Sequence, residues 1–240
     1  MNLLVEAFAW IFSPERLEGS TPLPLAIAQH LAFTFVSVLI AALIAIPIGW
    51  AIGHTGKGRE VAVSLSGAAR ALPALGVVAL LVPVIPISYK TQAAVVAFVI
   101  LAIPPILAGA YSGFEAIERS VIGAGRAVGM TEGQVLFKIE VPLGMALLLA
   151  GLRSATLQVV ATVTIAAYFG LGGLGFYIIQ GLNTRNFAQI LGASIIIVVL
   201  ALVLDALFAI VTRFAVPRTE SRRVRRDPPP VTVSVASPAT

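Results

Sequence analysis

"GAGRAVGMTEGQVLFKIEVP", residues 123–142, lies between two stretches of almost uninterrupted apolar sequence. From 117 to 128 the only helix-weakening residues are Gly123 and Gly125, and Gly129 stands where a left-handed helix end is wanted. Thr131 and Gln134 have the spacing of a capping box. A second short helix is expected to start there and to carry Val135, Leu136 and Ile139 toward Pro142, which can open the next helix because its missing donor is not needed at a first turn. The segment reads as helix, sharp turn, helix. Small residues on the first helix, Gly123, Ala124, Gly125 and Ala127, would let another protein's surface approach its backbone closely, so the segment has the character of a docking element.

The flanks set its surroundings. The chain has 240 residues, of which 58% are hydrophobic and 11% charged, whereas a soluble domain carries about 25% charged residues. That composition predicts an all-α integral membrane protein, because a helix satisfies its own backbone groups and needs about 20 apolar residues to cross the hydrocarbon core. Five stretches qualify: 29–53, 61–84, 92–114, 142–169 and 188–214. Pro47, Pro73, Pro83, Pro104 and Pro105 fall inside them and are expected to kink them. The opening "MNLLVEAFAWIF" is too short to span and lacks the basic start of a signal peptide, so it reads as an interfacial helix anchored by Trp10. Three regions follow: an extracytoplasmic segment over 1–24, a membrane domain over 25–214, and a basic, proline-rich tail over 215–240 with too little apolar periodicity to pack.

Basic residues divide unevenly between the two sides of these spans. Lys57, Arg59, Arg119, Arg126, Lys138, Arg213, Arg218, Arg222, Arg223, Arg225 and Arg226 fall on one side, and Arg16, Lys90 and Arg185 on the other. Eleven against three places the first side in the cytoplasm and the amino terminus outside. The 123–142 segment is then cytoplasmic, between the third and fourth spans. The tail arginines suit anionic headgroups, at about 1 kcal/mol per charge near the surface, and suit equally a solvated tail that enforces topology.

Several chemistries lack their residues. There is no cysteine, and His30 and His54 are separated by a whole apolar span, which argues against a shared metal site. "GLGGLG", residues 170–175, satisfies a dinucleotide-binding string but follows a membrane helix with no βαβ unit, and reads as a flexible turn. "GHTGKGRE", residues 53–60, has Ala51 where a phosphate loop needs its first glycine and Gly58 where it needs Ser or Thr. The chain has no ATP site of its own and no pattern for nucleic acid.

Charges inside the spans are expensive and mark a pathway or a paired structural site. Arg70, Arg153 and Asp205 fall at comparable depth, so Asp205 is expected to pair with Arg153 or with Arg70. On the fourth span Ser154, Gln158 and Thr162 recur every four residues and share a face. They suit the lining of a pathway at a dimer centre and suit equally hydrogen bonds to neighbouring helices.

The docking segment resembles the cytoplasmic signature of the permease subunits of binding-protein-dependent ABC importers. That signature is Glu-Ala-Ala, three residues, Gly, nine residues, Ile, any residue, Leu-Pro. Here Gly123, Ala124 and Gly125 stand for Glu-Ala-Ala, Gly129 for the glycine, Ile139 for the isoleucine, and Val141 with Pro142 for Leu-Pro. The spacing is kept throughout, while the first glutamate is missing and Leu is replaced by Val. "GMTEGQVLFKIEVPLGMALLLAGLR", "ARALPALGVVALLVPVIP" and "FGLGGLGFYIIQGL" look like the osmoprotectant branch, which takes glycine betaine, choline, carnitine or proline.

The resemblance implies an ABC-importer permease fold of the methionine-importer kind, with five membrane helices and a coupling helix between spans 3 and 4. It also implies a second permease subunit, two cytoplasmic ATPases that use the ATP, an extracytoplasmic substrate-binding protein, and residence in the plasma membrane. Gly123, Ala124, Gly125, Gly129, Ile139 and Pro142 would form the ATPase-coupling element. No cofactor is expected on this chain, and no catalysis. Alternatives are a permease for an amino acid such as methionine, and an ion-coupled secondary transporter. The latter more often has several membrane carboxylates and inverted repeats, where Asp205 stands alone and the spans are unequal.

Overall fold

The computed structural model describes residues 2–18 and 21–215, with the side chains at 17, 65 and 68–71 outside that description. The described residues are helical, without strands. In chain order they form α1 (Leu3–Ile11), α2 (Glu15–Glu18), α3 (Leu23–Thr55), α4 (Arg59–Ala71), α5 (Ala74–Val84), α6 (Lys90–Glu115), α7 (Arg119–Ala127), α8 (Glu132–Val135), α9 (Val141–Ala166), α10 (Gly175–Thr184) and α11 (Phe187–Ala215). Single 3₁₀ turns precede α6 and follow α9, and a π turn over Leu136–Glu140 joins α8 to α9. The four helical stretches Leu23–Thr55, Ile87–Glu115, Glu132–Phe169 and Phe187–Ala215 are long and apolar enough to cross a membrane. The predicted tail after Ala215 lies outside the described residues.

The expected second span, 61–84, is not one continuous helix. Pro73 ends α4 and caps α5 with extended backbone, φ −67° and ψ 123°. The cause is local: a proline removes a helix donor and pushes the residue before it out of helical geometry. Pro47, Pro83, Pro104 and Pro105 stay within their helices.

Helix α6 is the most buried element and packs between α3 and α9. Inside a bilayer, helices gain nothing from expelling water from one another and associate through close contact of small residues. Gly109 and Gly151 supply that contact. A Cβ on Gly109 would stand 2.5 Å from the Leu147 carbonyl oxygen, and one on Gly151 would stand 2.6 Å from that of Pro105. Around this seam the core is alanine-rich, with Ala94, Ala97, Ala102, Ala155 and Ala166 without solvent exposure.

Helix α11 sits outside this trio, against α9, α10 and α1. Trp10 of α1 is buried, edge-on to Tyr177 with ring centroids 5.1 Å apart, and rests on Gly192 of α11. Its ring is thus a packing surface for α10 and α11, where the sequence suggested an interfacial anchor.

Candidate functional site

The segment from α7 to the start of α9 is built from its own turn chemistry. Helix α7 ends as Gly129 takes φ +87°, a conformation nearly closed to residues with a Cβ, and the Met130 N–H turns back to the Gly125 carbonyl at 3.1 Å. The capping box at Thr131 is complete: the Gln134 N–H donates to Thr131 Oγ1 at 3.3 Å and the Thr131 N–H to Gln134 Oε1 at 2.9 Å. Ile117, Ile122 and Val135 close over the turn with Met130.

The candidate coupling residues divide between two faces. Gly123 and Ala124 are exposed, with open space where a Gly123 side chain would go. Gly125 is buried, and a Cβ there would stand 2.6 Å from Ile139 Cδ1. Gly125 and Ile139 therefore hold α7 against the π turn and are turned away from any docking partner. Gly129 makes the bend, and Pro142 sits in the first turn of α9.

Charged groups tie this unit to the end of α3. Arg126 grips Glu132 with Nε and Nη2, each at 2.8 Å. That contact holds the Glu132 carboxyl below the usual carboxylate range and raises Arg126. Glu132 also stands 3.5 Å from His54 Nε2, and His54 Nδ1 is 2.5 Å from Glu140 Oε2. The Glu140 side chain is 3% exposed. Beside it Arg59 pairs with Glu115 at 2.6 Å, joining the start of α4 to the end of α6.

The opposite end of α3 is held by neutral groups. Gly170, Gly172 and Gly173 all have positive φ, which makes the turn predicted at "GLGGLG". The turn is pinned, however: the Gly173 N–H donates to Gln29 Oε1 at 3.2 Å and the Leu174 N–H to His30 Nδ1 at 3.4 Å. The Val160 carbonyl, which can only accept, lies 3.1 Å from His30 Nε2. A donor on one side and an acceptor on the other fix His30 as the Nε2–H tautomer. Near this end a cavity of about 610 Å³ is lined by Leu75, Ala79, Thr164, Ile165, Tyr168, Phe169, Ile178 and Ile179.

Within the membrane helices, Arg153 donates to both oxygens of Asp205, at 2.5 and 2.6 Å, and so links α9 to α11. Arg70 lies in the last turn of α4, and its side chain is outside the described residues. Ser154 is exposed on the open face of α9. Gln158 and Thr162 are turned inward instead: Thr162 is 2% exposed and bonds the Gln158 carbonyl, while Gln158 Nε2 donates to the Leu101 carbonyl at 3.2 Å. Leu101 is four residues before Pro105, whose missing N–H leaves that carbonyl without a helical partner. Gln158 therefore satisfies a proline-made gap in α6. The paired signal, Pro105 in one span and an amide in the next, was present in the sequence, whereas nothing local joined His54 to Glu140, 86 residues apart.

Residues 45–221 match the family profile of the binding-protein-dependent transport system inner membrane component. The glycine betaine/carnitine/choline transport system permease protein OpuCB of Bacillus subtilis is 28% identical over 79% of this chain and 87% of its own. The glycine betaine/carnitine/choline transport system permease protein OpuCD of the same organism is 30% identical over 74% of this chain and 77% of its own. Among solved structures, an inward-facing form of the MetNI methionine ABC transporter superposes with a TM-score of 0.71 over 80% of this chain and 95% of that one, at 21% identity. At that identity the likeness is one of fold.

Proposed function

The chain belongs to the family of binding-protein-dependent transport system inner membrane components, and on that premise we propose that it passes a small osmoprotectant, such as glycine betaine, choline, carnitine or proline, through the membrane. It is a transport permease of an ABC importer and not an enzyme, a multi-pass inner-membrane subunit working with a separate ATPase and binding protein. The substrate class rests on one observation above all: the chain is similar over three quarters of its length to both permease proteins of a glycine betaine/carnitine/choline system. That duality also favours a second permease subunit, a copy or a related chain, and two ATPases beneath the pair.

In this reading the polypeptide crosses five times, with α4 and α5 together making the second crossing around Pro73. The basic asymmetry puts residues 119–142 and the carboxyl terminus in the cytoplasm and the amino terminus outside. Helix α7 presents Gly123 and Ala124 to an ATPase, while Gly125, Gly129, Ile139 and Pro142 hold it in position. Ser154 is the pathway candidate retained on the open face of α9. The Arg153–Asp205 pair is a structural tie between α9 and α11.

Reconstitution with the partner ATPase and binding protein in proteoliposomes tests this. ATP-driven uptake of labelled glycine betaine, dependent on the binding protein and competed by choline, carnitine or proline, is the expected result. Uptake of methionine in its place would move the chain to the amino-acid alternative. Uptake driven by an ion gradient without ATPase would overturn the reading.

A further inference from the structure

Helix α3 has 33 residues and so is about 50 Å long, against a hydrocarbon core of about 30 Å. Its surplus carries the last turn, with His54, out of the apolar layer and against the docking unit. There four side chains from four elements form a row: Arg126 of α7, Glu132 of α8, His54 of α3 and Glu140 at the end of the π turn. Among the described hydrogen bonds and ion pairs, those of His54 are the ones that join α3 to residues 119–140.

The row has a direction. Glu140 is buried, and its described partner is His54. Both imidazole nitrogens face carboxylate oxygens, Nδ1 that of Glu140 and Nε2 that of Glu132. Glu132, on the far side, is the carboxylate that Arg126 of the docking helix grips. A π turn is uncommon and tends to occur where a helix serves a function; here it ends on the buried Glu140. A buried polar pair adds little stability over an apolar pair of equal volume, and in some proteins such a pair serves to set the mutual orientation of the elements that carry it.

We propose that His54 is a positioning residue for coupling: through Glu140 and Glu132 it fastens the docking helix to the end of the first long membrane helix, so that displacement of α7 by an ATPase moves α3 as well. This rests on the reading of α7 as the docking surface. Substrate-dependent control of ATP hydrolysis then travels through the clasp, while attachment of the ATPase depends on the exposed residues of α7.

The test uses the complete transporter in proteoliposomes, with ATP hydrolysis measured with and without binding protein loaded with glycine betaine, and with ATPase copurification measured in parallel. His54→Ala and Glu140→Gln are expected to keep the ATPase attached but to lower the ratio of stimulated to unstimulated hydrolysis at least fivefold. His54→Gln, which keeps a donor for Glu140, is expected to lose less than His54→Ala. A wild-type ratio in His54→Ala and Glu140→Gln would overturn the proposal, and so would a parallel fall in attachment, unstimulated and stimulated hydrolysis in both, since the clasp would then only hold the fold. Ala124→Arg tests the underlying reading separately: it should release the ATPase, and an ATPase that stays attached and stimulated would refute docking on α7 whatever the clasp variants do.

Discussion

The two ends of α3 are fastened by different chemistry. At one end Gln29 and His30 hold a glycine turn through neutral hydrogen bonds to backbone groups, in a site where His30 has no solvent exposure. At the other, His54 sits among Glu132, Glu140 and Arg126, partly open to solvent. Neutral bonds to backbone fix a loop in one place, because each partner is rigid and the alternative is an unsatisfied buried group. At the second end side chains of α3, α7, α8 and the π turn meet one another and not the backbone. On the proposed coupling role of His54, the first end is the fixed point and the second the joint.

The contrast is broken most severely at the fixed end. His30→Leu leaves the buried Leu174 N–H unpaired, at about 1–3 kcal/mol, and removes one contact from the Val160 carbonyl, which still accepts from Thr164 Oγ1, so the purified protein should lose about 1–3 kcal/mol of stability. Its thermal transition in detergent should fall well below that of the wild type. If the transition is unchanged, the turn is not anchored through His30.

Gly129→Val acts on the other end through the backbone. A β-branched residue at φ +87° meets a strain of roughly 1–2 kcal/mol, confined to the α7–α8 bend. Membrane insertion should be normal while uptake and ATPase copurification fall, measured at matched abundance. Full activity in both assays would remove the segment from coupling. Gln29→Ala is milder, removing one hydrogen bond to the Gly173 N–H at about 1 kcal/mol, and should lower the thermal transition less than His30→Leu does.

The smallest effect concerns pH at the joint. The Glu132 carboxyl is depressed by Arg126, so the stability it contributes is present above its unfolded pKa and is lost as pH falls through the lower, folded one. That window lies in the acid range. Removing the pair by Arg126→Gln should therefore make no difference to how stability varies between pH 6 and 8, and should flatten its fall on further acidification. A wild-type acid profile in Arg126→Gln would show that the grip contributes nothing to folding.

Much of this arrangement was legible because it is local. The Gly129 bend and the Thr131 capping box lie within a few residues of the groups they satisfy, and the long apolar stretches report their helices by length alone. Pro73 was read as a kink within one span, but a break and a kink share the same residue, and neighbouring packing decides between them. Gly123 and Gly125 look alike in sequence; only the position of Ile139 turns one outward and the other inward. Ser154, Gln158 and Thr162 were placed on one face by spacing, yet the carbonyl freed by Pro105 draws the Gln158 amide inward. His54 with Glu140, and Gln29 and His30 with the glycine turn, join residues 86 and 144 apart, and no local pattern encodes such pairs.

The central claim is that the exposed face of α7 meets an ATPase while the glycine-turn end faces away from it. The chain has no cysteine, so a single introduced thiol carries an unambiguous crosslinker. Ala124→Cys on α7 and Asn183→Cys on α10 place that thiol at exposed positions in the two regions. With a short thiol-directed photocrosslinker in membranes holding the assembled transporter, Ala124→Cys should capture the ATPase and Asn183→Cys should not. Capture of the ATPase at Asn183→Cys, or its absence at Ala124→Cys in a complex that still copurifies and transports, would contradict the account.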